Sequence, residues 1–332
     1  MQPSWKMLLK QSQLTPLQLL QNLNLPLTLL DELKIANRLF PLRITPGFLS
    51  RIEKGNPKDP LLLQVLPLGA EKFNPPGFVE DPLDEQSQNP LPGLLHKYHG
   101  RVLLITSGAC AINCRYCFRR SFAYAENNPG QQGWDLVLAY IENDPSICEV
   151  ILSGGDPLTL TDSSLKKLLT GLEKITHVQT LRIHSRIPVV LPERIDGHFG
   201  QVFQNTRLSK VMVIHTNHAN ELDETVFSAL DALKNLGFQL LNQSVLLKGI
   251  NDSTETQVAL QRKLFAFGVL PYYLHLLDPV KGAAHFEVSK AEAQTIMSEI
   301  VKILPGYLVP KLAREIPGES SKRIIPLQTE LQ

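Results

Sequence analysis

Short apolar runs alternate with amphipathic stretches along the last two-thirds of the chain. The runs fall at 101–106, 148–153, 179–184, 210–215, 239–247 and 270–276, and each reads as a buried strand. Between most of them, stretches such as 136–141, 165–172, 226–236 and 258–267 carry apolar residues at helical spacing. Strands alternating with helices imply parallel strands joined by crossover helices. Six such units predict an α/β fold, a partial (β/α)6 barrel over residues 96–304. Residues 1–95 follow another pattern. Leu14, Leu17, Leu20 and Leu23 are spaced for a helix, as are the apolar positions of 29–39, and a turn-rich segment then runs from Asn56 to Pro92-Gly93. This predicts a small helical layer and an irregular, Pro-rich wrap. The tail, 305–332, is punctuated by Pro305, Pro310, Pro317 and Pro326 and cannot form a long helix.

Composition narrows the class. The chain has 332 residues, 20% of them charged, with a formal net charge of +1. That balance argues against a broad nucleic-acid surface or an acidic tail. No apolar run has the length of a membrane span, and the first residues lack the core of a secretory signal. Three of the four cysteines are clustered, which is not a disulfide framework. A cytoplasmic, reducing setting is expected.

The cluster is Cys110-Ala111-Ile112-Asn113-Cys114-Arg115-Tyr116-Cys117, directly after the first strand of the barrel. In α/β barrels chemistry gathers on the loops that leave the strands' C-terminal ends, where this loop lies. Thiolates are soft ligands that select zinc, copper(I) or iron–sulfur clusters. A structural zinc site is closed by four ligands, and no second pair follows at the required spacing. An iron–sulfur cube held by three cysteines leaves one iron open to a substrate or cofactor. Cys148 stands apart at the start of an apolar run and reads as a small buried residue.

The C-x3-C-x2-C spacing resembles the radical S-adenosylmethionine (SAM) enzymes, whose fold is also a partial barrel. The resemblance implies a [4Fe–4S] cluster on Cys110, Cys114 and Cys117, with SAM on the open iron. It implies SAM contacts at Gly154, Gly155 and Asp156, in the Leu152-Ser153-Gly154-Gly155-Asp156-Pro157 segment after the second strand. Further motifs narrow the family: Cys117-Phe118-Arg119-Arg120, Ser185-Arg186-Ile187-Pro188, His215-Thr216-Asn217-His218, Asn242-Gln243-Ser244-Val245 and Pro271-Tyr272-Tyr273. Together they resemble lysine 2,3-aminomutase from about residue 96 to Lys322. That family adds pyridoxal 5′-phosphate (PLP) and moves the α-amino group of L-lysine to the β-carbon.

The resemblance implies a role for each matching residue. Lys322, after Pro317-Gly318-Glu319-Ser320-Ser321, takes the place of the lysine that holds PLP, with a single glycine where the family has a glycine run. Lys97 and Arg101 stand where two arginines bind the PLP phosphate. The change to Lys97 keeps the charge but loses the bidentate fork. Gln243 is a polar contact near the cofactors. Arg119 takes the place of the guanidinium that holds the substrate α-carboxylate. Asp278 and Glu315 take the places of the two aspartates that hold the ε-ammonium, Glu315 being one methylene longer. Arg115 and Arg120 are expected in ion pairs or facing the cluster. His215, His218 and His275 lack metal-ligand spacing and read as hydrogen-bonding residues near the barrel mouth.

Catabolic members of the family carry a C-terminal extension with cysteines that bind zinc between subunits. This chain has no cysteine beyond Cys148, so no interfacial zinc is expected. It resembles the shorter branch, which makes (R)-β-lysine for elongation factor P. That implies a link to the factor and its lysyl-transferring ligase, and a reductant such as flavodoxin or ferredoxin. The alternatives are a catabolic aminomutase for lysine or another amino acid such as glutamate, and a non-catalytic metal-binding protein. Anaerobically prepared Cys117→Ala protein should lose most of its iron and release no 5′-deoxyadenosine from SAM. Release at the full rate would show that the three cysteines hold no catalytic cluster.

Overall fold

The computed structural model describes residues 4–327 except 126, 128 and 129, with only the backbone of 130–132. The ends of the expected wrap and tail, 1–3 and 328–332, therefore lie outside it. Among the described residues nine strands form one sheet in the order of the sequence. β1 (Leu94–Tyr98) pairs antiparallel with β2 (Arg101–Ser107). From β2 the sheet is parallel through β3 (Glu149–Gly154), β4 (Thr180–Ser185), β5 (Ser209–His215), β6 (Phe238–Val245), β7 (Leu270–His275) and β8 (Lys311–Arg314). β9 (Arg323–Ile324) returns antiparallel on β8. β1 and β9 do not pair with each other, which leaves the barrel open along one seam.

All six predicted strands are present, and β8 adds a seventh parallel one. Its sequence, Lys311-Leu312-Ala313-Arg314, is too short and too polar at its ends to stand out as an apolar run. The tail is thus woven into the sheet rather than appended to it.

Crossover helices cover the outside. Asp162–Lys174 shows why they form: the Thr161 side chain caps the Ser164 amide, and Leu165, Leu168, Leu169 and Leu172 bury one stripe against the sheet. Each buried leucine contributes about 2 kcal/mol. Opposite them, Leu181 and Ile183 of β4 point into this apolar layer. The alternate residues, Arg182 and His184, therefore face the lumen. Strand periodicity thus keeps the outside apolar and makes the lumen polar.

The N-terminal wrap grips the cysteine loop from behind. Arg115 is fully buried, and its Nε and Nη2 donate to the two oxygens of Glu71 at 2.8 and 2.5 Å. Its Nη1 reaches the Phe40 carbonyl at 2.6 Å, and Arg120 Nη2 shares Glu71 at 2.6 Å. Both arginines are therefore ion-paired, as the sequence reading allowed. Cys148 departs from expectation: it is exposed, because it precedes β3 outside the helical layer, and its Sγ lies 3.4 Å from the Gly100 carbonyl. Breaking a buried pair costs about 3–5 kcal/mol because the partner charge is left uncompensated. Glu71→Gln, which leaves the Arg115 and Arg120 guanidinium groups without their shared carboxylate, should lower unfolding free energy by about 3 kcal/mol in urea titration. A midpoint equal to wild type would show that the clamp contributes nothing.

Candidate active site

A cavity of about 420 Å³ occupies the lumen, and every site residue predicted from the sequence lines it. Those residues are separated by up to 225 positions (322 − 97) and are gathered only by the barrel.

The three thiols sit on the loop that leaves β2. The wrap holds this loop by its backbone: Arg115 N donates to the Gln64 carbonyl at 2.9 Å, Asn113 N to the Arg43 carbonyl at 3.0 Å, and Arg43 Nη1 to the Cys110 carbonyl at 2.8 Å. Burial and the neighbouring Cys117, Asp156 and Cys114 push the Cys110 thiol well up. Burial and Cys114 push Cys117 up to about 11. Three buried thiolates repel one another and need a positive centre among them. Among the described residues no three His, Cys, Asp or Glu side chains converge as ligands of a single ion would. Three soft thiols on one loop lining the cavity are a donor set that an iron–sulfur cluster would fit. Arg186 Nη1 lies 2.7 Å from Cys114 Sγ and also bonds Tyr116 Oη at 2.7 Å, while its Nη2 reaches Glu221 at 3.0 Å.

At the end of β3 the two glycines are required by the protein's own backbone. Gly154 has φ +119°, and a Cβ there would meet the Ser107 carbonyl at 2.6 Å. A Cβ on Gly155 would meet the Ala109 carbonyl at 2.5 Å. Their lack of side chains seats the β3 end against the cysteine loop, whatever else approaches. Asp156 is buried and its carboxylate is occupied. It accepts from Ser185 Oγ at 2.8 Å, from the amides of Leu158 and Arg186 at 3.0 and 2.8 Å, and from Ile187 N at 3.2 Å. Burial raises it to about 6 against these bonds. Its side chain ties β3 to β4, which leaves only its backbone and position for a ligand.

The charged residues form one alternating row. Arg119 Nε and Nη2 donate to Glu85 at 2.6 and 2.7 Å, and its Nη1 to Ser153 Oγ at 3.1 Å. Lys97 Nζ lies 3.8 Å from Glu85 and 3.3 Å from Glu315. Lys322 Nζ donates to the other oxygen of Glu315 at 2.5 Å. Burial pushes Glu315 up, but Lys322 and Lys97 outweigh it and hold the carboxyl down at about 2. The proposed phosphate, carboxylate, ammonium and PLP-binding residues thus hold one another, with Glu85 as the missing member. No local pattern marks Glu85, which lies in the turn-rich wrap 34 positions before Arg119.

Asp278 stands differently. Its carboxylate has no hydrogen bond or ion pair among the described side chains and faces the cavity. Burial and Glu315 push it up to about 7, against Lys322 and Arg314. Arg101 lies over the Tyr98 ring at 5.0 Å and makes no ion pair among the described residues, so its donors remain available to an anion. Gln243 lines the cavity from β6.

His215 and His275 also line the cavity. Burial holds both near 3, with Arg186 beside the first and Lys322 beside the second. Tyr116 Oη meets His215 Nε2 at 3.1 Å. His218 instead caps the turn Ala219–Glu221. His184, on the lumen face of β4, went unread in the sequence. Burial and the nearby Arg182 and Lys322 keep it neutral, and its Nε2 has no partner.

No family model matches the chain. It is 52% identical over 297 residues to L-lysine 2,3-aminomutase of Escherichia coli, spanning 90% of this chain and 86% of that protein. It is 49% identical over 321 residues to the protein of that name from Haemophilus influenzae, spanning 97% and 95%. The L-lysine 2,3-aminomutase of Clostridium subterminale is 36% identical over 308 residues, spanning 90% and 72%. Among solved structures, E. coli coproporphyrinogen III oxidase, described as a radical SAM enzyme, matches with TM-score 0.41 and 13% identity over 63% of this chain and 53% of that one, too loosely to bear on the site. With half of its residues shared along most of its length, the chain belongs to the lysine 2,3-aminomutase family and is an isomerase.

Proposed function

We propose that the protein converts L-lysine to β-lysine using a [4Fe–4S] cluster, SAM and PLP. One observation carries this reading: a single cavity brings together three cysteines, a lysine, a guanidinium and a carboxylate with no side-chain partner among the described residues. When bound, the cluster and SAM supply a hydrogen-abstracting radical, and PLP supplies the carbonyl that holds the migrating nitrogen. Cys110, Cys114 and Cys117 hold the cluster, with SAM against the segment of Gly154, Gly155 and Asp156. Lys322 holds PLP, and Arg101 is the first donor to its phosphate. Lys97 reaches that phosphate only by leaving Glu315. Gln243 contributes a polar edge. Asp278 meets the substrate ε-ammonium and Arg119 the α-carboxylate. The protein's share is orientation, charge pairing and exclusion of water.

The finer assignment is (R)-β-lysine for elongation factor P, handed to its lysyl-transferring ligase, with flavodoxin or ferredoxin as reductant in the cytoplasm. It rests on the resemblance to the short branch and on greater identity to the Escherichia coli and Haemophilus influenzae relatives than to the clostridial one. In this reading 1–95 is the wrap, 96–304 the radical SAM barrel and 305–332 the PLP-lysine tail. No helix among the described residues is long and apolar enough to cross a membrane.

Chiral chromatography of the product from lysine, under anaerobic reducing conditions with SAM and PLP, tests the assignment. (R)-β-lysine is expected, and unchanged lysine alongside turnover of glutamate would overturn it. The carboxyl of Asp278 supplies a second prediction. With its pKa raised to about 7, it is neutral below that pH and anionic above it. The lysine ε-ammonium stays charged throughout, so lysine binding should strengthen as pH rises from 6 to 8. Asp278→Asn should abolish that step and slow turnover about 10²- to 10⁴-fold, from a lost buried pair of about 3–5 kcal/mol. Binding that keeps the same pH profile in the variant would remove Asp278 from the pocket.

A further inference from the structure

Arg119 presents a difficulty for carboxylate binding: its fork is already full. Both bonds go to Glu85, which is 3% exposed, and the remaining Nη1 is held by Ser153 Oγ. An arriving α-carboxylate must displace Glu85, and the displaced carboxylate needs another cation. Lys97 stands ready, 3.8 Å away, but it also holds Glu315 at 3.3 Å.

Resting on the lysine reading above, we propose that Glu85 is a specificity-determining residue that couples the two ends of the substrate pocket. While no amino acid is bound, Glu85 occupies Arg119. An α-carboxylate taking Arg119 passes Glu85 to Lys97, and Lys97 loosens its hold on Glu315. Glu315 is thereby freed to join Asp278 on a distal ammonium. No covalent bond changes; only ion pairs exchange partners.

Three features of the chain support such an exchange. The shift asked of Glu85 is short, since Lys97 is already near ion-pair distance. Glu85 borders a second, small cavity of about 50 Å³, shared with Asp81, Gln86, Phe118 and Phe122, which gives the side chain room. The preceding residue, Asp84, is held in the left-handed region with φ +48°, and the turn is pinned by Asp81 Oδ1 accepting from Glu85 N at 3.1 Å. A non-glycine residue in that region marks a locally strained segment.

The coupling explains discrimination by charge. Arg119, Lys97 and Lys322 against Glu85 and Glu315 leave one surplus positive charge, which an α-carboxylate neutralises. An amino acid without a distal ammonium would take Glu315 Oε1 from Lys97 and give it nothing in return, leaving Glu315 with its Lys322 pair alone among the described residues. A buried carboxylate short of partners is costly, so such a ligand is rejected at the end it does not touch. Lysine supplies the missing cation.

The test compares L-lysine with L-norleucine, which has the same carbon chain and no ε-nitrogen. Calorimetric binding is measured on the full chain loaded with cluster and PLP, SAM being withheld so that nothing turns over. Wild type should favour lysine by about 100-fold. Glu85→Gln opens the Arg119 fork, so norleucine should bind about tenfold tighter and the lysine preference should fall at least about tenfold. Lys97→Gln, checked for PLP content by absorbance, cuts the path between the two ends while leaving the Arg119–Glu85 pair. It should weaken both ligands, because the displaced Glu85 has no cation to receive it, and lower the lysine preference at least about tenfold. An unaltered lysine preference in folded Glu85→Gln overturns the proposal; if that variant does not fold, an unaltered preference in Lys97→Gln does so. Wild type that binds neither ligand overturns the lysine reading itself, and this inference with it.

Discussion

The row Arg119–Glu85–Lys97–Glu315–Lys322 is the interaction on which the site depends. It lies where the barrel is open. β1 carries Lys97, and Glu315 directly follows β8, so the first and last parts of the sheet are joined by charge where backbone hydrogen bonds do not reach. Ion pairs of this kind contribute little net stability, because desolvating each charge costs about as much as pairing returns. Their value is positional: each member can be held only where its neighbours leave it.

That row draws on four separate parts of the chain. Arg119 comes from the cysteine loop, Glu85 from the wrap, Lys97 from β1, and Glu315 with Lys322 from the tail. The wrap therefore does more than cover the barrel. Through Glu71 it locks Arg115 and Arg120, and through Gln64 and Arg43 it holds the backbone of the cysteine loop. Through Glu85 it reaches the lumen cavity. The packing that seats the cysteine loop and one member of the charge row in the cavity are supplied by the same segment.

Much of this was legible in the sequence. Six strands followed from apolar runs bounded by polar residues, because a strand buried under helices must be apolar on that face. The cysteine loop followed from spacing, since three soft ligands within eight residues have few other uses. The candidate site residues were all found on one cavity. β8 was missed because four residues carry too little period, and Cys148 was misjudged because neighbouring an apolar run does not place a residue inside it.

What the sequence determined by itself was local: element type, the thiol motif and the chemical character of each candidate. What only the tertiary structure decided was partnership. Asp156 is a tie between β3 and β4, Arg119 is already paired, and Asp278 has no side-chain partner among the described residues. His184 is neutral because cations from other strands and from the tail surround it. The physical reason is that a charge is defined by its neighbours. In a folded lumen those neighbours come from positions dozens to hundreds of residues away, and no local pattern records them.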